Sequence, residues 1–254
     1  MGKTEMLLPG PARIFIAAVA LLGLAVIAIS LRDAGPVQTG LFVSFLVMAC
    51  LAARLQVKLP GITGNMSVNL PLILVSVAQL GWLEALLVGC ISNLVQCLPR
   101  PKHKFNVVQT IFNVATMALA VTATRFIFQS HDLAAAVSSA PLRLAIATAG
   151  FFLANTVPVA IVIFLTEKTS VFRTWLEMFR LSYPYFLASA GVAGGVLTLV
   201  DRVGWQVPAA ILVLMLGVFY SYRQFFSPPR LEAQLPSEKI GPGGVRLEEK
   251  KMNA

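Results

Sequence analysis

From Ile14 to Leu31 the chain runs 18 residues, "IFIAAVALLGLAVIAISL", without a charged side chain. That length suits the ~20 residues needed to cross a hydrocarbon core as a helix. It exceeds the about 7–15 apolar residues of a secretory leader's core, and more apolar runs follow, so it reads as a retained first span. The others occupy roughly 37–54, 67–81, 82–98, 107–128, 142–165, 181–200 and 205–222. Backbone amides find no water in hydrocarbon, so such segments must be helical. The expected fold is therefore all-α, a polytopic transmembrane helical bundle of about eight apolar segments over residues 14–222. It lies between a short cytoplasmic N-terminus (1–13) and a polar, Pro- and Gly-rich tail (223–254). The tail has too little apolar surface to fold alone.

Charge placement sets the orientation. Charged residues make up 12% of the chain and hydrophobic ones 57%, against about 25% and about 45–50% in soluble domains. The net charge of +9 would suggest nucleic acid for a soluble protein. Here the basic residues sit between apolar runs, where they orient the chain, so the expected partner is the lipid bilayer and not nucleic acid. If Lys3 and Arg13 are cytoplasmic, then Arg54, Lys58, "RPKHK" (100–104), Lys168, Arg173, Arg180 and Arg223 share their side, provided that 67–98 enters and leaves on one face. The opposite loops hold only Arg32 with Asp33, His131 with Asp132, and Asp201 with Arg202. The expectation is a multi-pass inner-membrane protein with both termini cytoplasmic. Two full crossings of 67–98 and a re-entrant pair have the same parity, so charge does not separate them.

Within that hairpin, Asn69, Gln79, Gly81 and Glu84 interrupt the apolar sequence. Gly81 is expected at the turn, where a permissive backbone allows tight reversal. Trp82 is expected at interface depth and Glu84 in the first turn of the return helix. Pro71 falls early in its helix, where a missing donor matters little, after a turn-rich "LPGITG". Glu84 has two readings: an exposed cap near the lipid surface, or a solute-facing carboxylate.

The fifth run carries Asn106, Gln109 and Asn113 at spacings of three and four, one stripe of a helix. Amides in hydrocarbon turn inward and bond across helices, and Asn93, Gln96 and Asn155 are candidate partners. The set reads either as glue between helices or as a polar pocket, with Glu84, Asn93, Gln109, Asn113 and Asn155 as candidate ligand-binding residues. Arg125 and Arg143, near the outer span ends, read as snorkelling or as an anion-binding mouth. Pro158 is expected to kink its span unless neighbours re-satisfy the freed carbonyl, and the spacing of Gly191 and Gly195 allows close helix approach.

Chemistry-bearing constellations are not evident. His103 and His131 fall in loops on opposite sides, and Cys50, Cys90 and Cys97 lie in or beside apolar runs without metal-site spacing, so no metal, cofactor or enzymatic activity is expected. No phosphate-cradling or nucleophile-elbow motif occurs.

The segment "LGWLEALLVGCISNL", with Gly81, Trp82, Glu84, Ala85 and Ser92, resembles one in MASE-type bacterial multispanning sensor modules, which precede GGDEF or HD-GYP domains. Trp82 stands where that family often has proline. Phe112–Asn113, Ala154–Asn155, and the order of Thr174, Trp175, Tyr185 and a final span extend the likeness over about residues 40–224. The resemblance implies a sensory or regulatory membrane module. A cytoplasmic output domain would begin about where this sequence stops, so the implied partner is a separate protein reached through basic loops and tail. The hairpin also looks like that of substrate-binding components of energy-coupling vitamin transporters. There Asn93, Gln109, Asn113 and Asn155 would line a solute cavity, and Ala188, Gly191 and Gly195 would dock a coupling partner. A structural membrane subunit is the third reading.

Overall fold

A computed structural model describes residues 9–58, 65–99, 106–199 and 204–226. Among them are α1 (Gly10–Arg32), α2 (Thr39–Arg54), β1 (Gln56–Lys58), β2 (Asn65–Ser67), α3 (Leu70–Gln79) and α4 (Trp82–Cys97). Then follow α5 (Val107–Gln129), α6 (His131–Ala136), α7 (Ala140–Glu167), α8 (Val171–Leu199) and α9 (Gln206–Phe226). The helical expectation holds, with one addition: β1 and β2 pair antiparallel, Val57 opposite Met66. The ribbon ends at Ser67, the first residue of the expected third apolar run, and a turn at Val68 and Asn69 follows, so α3 begins only at Leu70. The segments at 59–64 and 100–105, and the tail beyond Phe226, lie outside the described residues.

Three helices, α1, α5 and α7, are each long and apolar enough to cross a membrane. Helices α2, α3 and α4, and Gln206–Ser221 of α9, are apolar but shorter. Helix α8 starts ten residues before the expected run, because its first turns have somewhere to pack. Trp175 and Phe179 lie against Phe152 of α7 at 6.1 and 5.6 Å between ring centroids, and Arg173 pairs with Glu177 at 3.4 Å one turn on. Lys168, in the left-handed region at φ 56°, ends α7 and lets the chain reverse within three residues. Pro158 sits inside α7 without interrupting it.

The short helix α3 is the centre of the bundle. Every residue from Leu70 to Val77 is buried, with α2, α4, α5, α7, α8 and α9 packed around it. The outer helices do the opposite: Ile14, Leu21 and Leu24 of α1, Phe126 of α5, Leu187 and Leu199 of α8 and Val213 of α9 all face outward. Close helix approach occurs at Gly23 of α1, where an added Cβ would lie 2.7 Å from the Ala115 Cα of α5. Gly191 and Gly195 have nothing within 4 Å of that position. The expected small-residue contact is thus absent there, because α8 turns this stripe away from its neighbours.

Helices α2, α3 and α4 are matched in height by bonds at both ends. At one, the Val68 N–H donates to the Leu55 carbonyl at 3.2 Å and the Gln56 amide to the Gln96 carbonyl at 3.1 Å. At the other, the Gln38 N–H donates to Glu84 Oε1 at 3.0 Å. The α3–α4 hairpin therefore reaches from one end of α2 to the other.

Candidate functional site

The polar residues gather at the two ends of α3. Leu80 and Gly81 form the reversal into α4, and Glu84 folds back over it. Its Oε2 accepts from the Gly81 N–H at 2.6 Å while Oε1 accepts from Gln38. One carboxylate thus satisfies two main-chain donors, one at the α4 N-terminus and one just before α2. Glu84 is 5% exposed, which corrects the exposed-cap reading: it is a cap, but a buried one. Gly81 has ordinary extended torsions, φ −63° and ψ 163°, so left-handed freedom is not why glycine stands there. A Cβ at this position would meet the Glu84 carboxylate at 2.9 Å. Glycine leaves room for the acid to return to its N–H.

Arg125 of α5 reaches the same reversal from the other side. Its Nη1 donates to the carbonyls of Leu80 at 2.7 Å and Val77 at 3.1 Å, capping the C-terminus of α3 where carbonyls lack intrahelical partners. The side chain is half-buried and turned inward, so snorkelling is not its role. The ends of α3 concentrate partial charge, and a guanidinium there is favoured. Trp82 is half-buried, its Nε1 donating to Thr122 Oγ1 at 3.3 Å and its ring edge-on to Phe126. Arg143 stacks over Phe128, 5.5 Å from the ring centroid.

At the opposite end, Asn69 donates to Ser92 Oγ at 3.1 Å, both buried. The Leu70 N–H, an orphan donor of α3, is taken by the Tyr185 hydroxyl of α8 at 3.3 Å. Asn93 donates to the main-chain carbonyl of Asn113 at 2.8 Å, and the Asn113 amide points at Cys97 Sγ, 3.6 Å away. The structure therefore joins Asn93 and Asn113 across α4 and α5. It does not bring in Gln109 or Asn155. Gln109 is exposed, and Asn155 on α7 is half-buried; neither makes a side-chain hydrogen bond among the described residues. Asn106 accepts from the Gln109 N–H as the N-cap of α5. One stripe of three amides is thus divided between a cap, a surface and a helix contact.

Sequence reasoning missed Gln38, Ser92 and Tyr185 as members of these networks, and gave Arg125 the wrong direction. A serine or tyrosine in an apolar run carries no periodic signal; only a partner on a distant helix gives it a role. Among the described residues no group of three or more His, Cys, Asp and Glu side chains could hold a metal ion. Compared with models of known protein families, with curated proteins and with solved structures, the chain matches none.

Proposed function

We propose that this chain is a multi-spanning inner-membrane protein of about eight helical segments, both termini cytoplasmic, working as a sensory or regulatory module. The outward apolar faces and the three long apolar helices support a lipid surround. The bonds that pair Gln38 with Glu84, Arg125 with Leu80, and Leu55 with Val68 support an alternating run of α2, α3, α4 and α5. That alternation is the parity that puts the basic loops on one side. A cytoplasmically active reporter fused at Tyr222 is expected to work and one at Asp132 to be silent; the reverse pattern would overturn this orientation.

The regulatory reading rests on how α3 is held. It is enclosed on every side, its first donor bonded by α8 through Tyr185 and its last carbonyls by α5 through Arg125. A displacement of α3 is felt directly by α8, whose first turns carry Arg173 and Arg180, and by α9, which leads into the tail. Coupling of this kind needs an element with two arrangements held by specific bonds. The likeness to multispanning sensor modules points the same way. In the transporter alternative Asn93 and Asn113 would line a cavity, and here they are engaged with each other's helices. A photoreactive amino acid at Arg173 and another at Leu231, used in cells, separate the classes. An adduct with a signalling enzyme is the expected result. An adduct with an ATPase or coupling subunit would favour a solute-transport component, and protein-free membranes at both positions a structural subunit.

A further inference from the structure

Helix length sorts by position in this bundle. Helix α2 has 16 residues, whereas α1 and α5 have 23 and α7 has 28. At the rise of an α-helix, α2 is about 24 Å long and α1 about 34 Å, against a hydrocarbon core of about 30 Å. The limits of α2 are fixed. Asp33–Gln38 before it is exposed and non-helical, and lipid-exposed irregular backbone does not enter hydrocarbon. At its other end Arg54 is exposed and the helix stops. Between these limits Val43, Val47 and Leu51, spaced one turn apart, present an outward apolar face at 47, 45 and 53% exposure. Tilting shortens a helix's projection further, so tilt does not relieve the mismatch. Of its packing neighbours, α3 and α4 are no longer and their ends are bonded to its own, while the 21-residue α9 lies against it as well.

Resting on the membrane-spanning reading, we infer that the α2 flank binds a locally thinned bilayer and is solvated by shorter acyl chains than the α1 flank on the same molecule. A short span is accommodated by thinning the lipid around it, at a modest cost per ångström of mismatch. The thinning is one-sided, because the uncharged run of α1, Ile14–Leu31, is about 27 Å long and that of α2, Thr39–Ala53, only about 22 Å.

The test uses the full chain with Trp82, Trp175 and Trp205 replaced by Phe and a single reporter introduced as Val47→Trp or Leu21→Trp. Each variant is reconstituted in phosphatidylcholine bilayers containing a brominated quencher lipid with either fourteen-carbon or eighteen-carbon chains. At Val47 the short-chain quencher is expected to be preferred about fivefold over the long-chain one, for a mismatch of about 6 Å. At Leu21 the preference is expected to vanish. Equal ratios at the two positions, whatever their value, overturn the inference. Fluorescence untouched by either lipid at both positions instead removes the membrane reading on which it rests. Val43→Trp gives the same readout one turn away should Val47→Trp fail to fold.

Discussion

Replacing Arg125 with Leu is expected to lower the unfolding midpoint in detergent by about 5–10 °C, corresponding to roughly 2–4 kcal/mol of lost stability. The guanidinium holds the carbonyls of Leu80 and Val77 at the end of α3, and Leu offers them nothing. A charge-assisted hydrogen bond contributes about 1.5–3 kcal/mol, and an orphaned buried acceptor adds its own desolvation penalty. Arg125→Lys keeps the charge but not the fork, so a loss of about half that size is expected. Thermal denaturation followed by loss of the monodisperse peak checks both variants. A Leu variant whose midpoint stays within a degree of the parent would show that these carbonyls find water, and that α3 is not capped by α5.

Glu84→Leu is the companion change, with an expected loss of about 2–4 kcal/mol, since the N–H groups of Gly81 and Gln38 both lose their acceptor. Glu84→Gln retains one good acceptor oxygen and is expected to fall between the two. Glu84 and Arg125 carry opposite charges and bond the two sides of one reversal, Leu80–Gly81. The double replacement is therefore expected to cost less than the sum of the single ones, because neither charge is then left alone in the interior. Additive losses would show that the two caps work independently, and the hairpin tip would then be two sites and not one.

Asn113 and Tyr185 show how unevenly the site was legible. Asn113 stands in a stripe of amides with helical spacing, and the expectation that it bonds across helices needs only that periodicity and an apolar solvent. Its neighbour Gln109 has the same spacing and chemistry yet remains exposed, in the first turn of α5. Tyr185 gave no such signal. Its hydroxyl matters because α3 begins two residues after a ribbon that no alternation in the sequence announced, leaving the Leu70 N–H without a helical partner. The same holds for Arg125: a long cation near the end of an apolar run reads from sequence as reaching outward to the interface, and only the Leu80 and Val77 carbonyls beside it turn it inward.

What the sequence by itself determined was the helical character of the chain and the position of most apolar segments. Uncharged runs of this length leave their backbone groups few ways to be satisfied other than along a helix, and that constraint is local. Only the tertiary structure decided that α3 is the buried centre, that Glu84 is a buried cap, that Gly191 and Gly195 face away from their neighbours, and that α8 begins at Val171. Each of these depends on which distant backbone donor, carbonyl or ring comes within bonding distance, a relation between helices that no single stretch of residues contains.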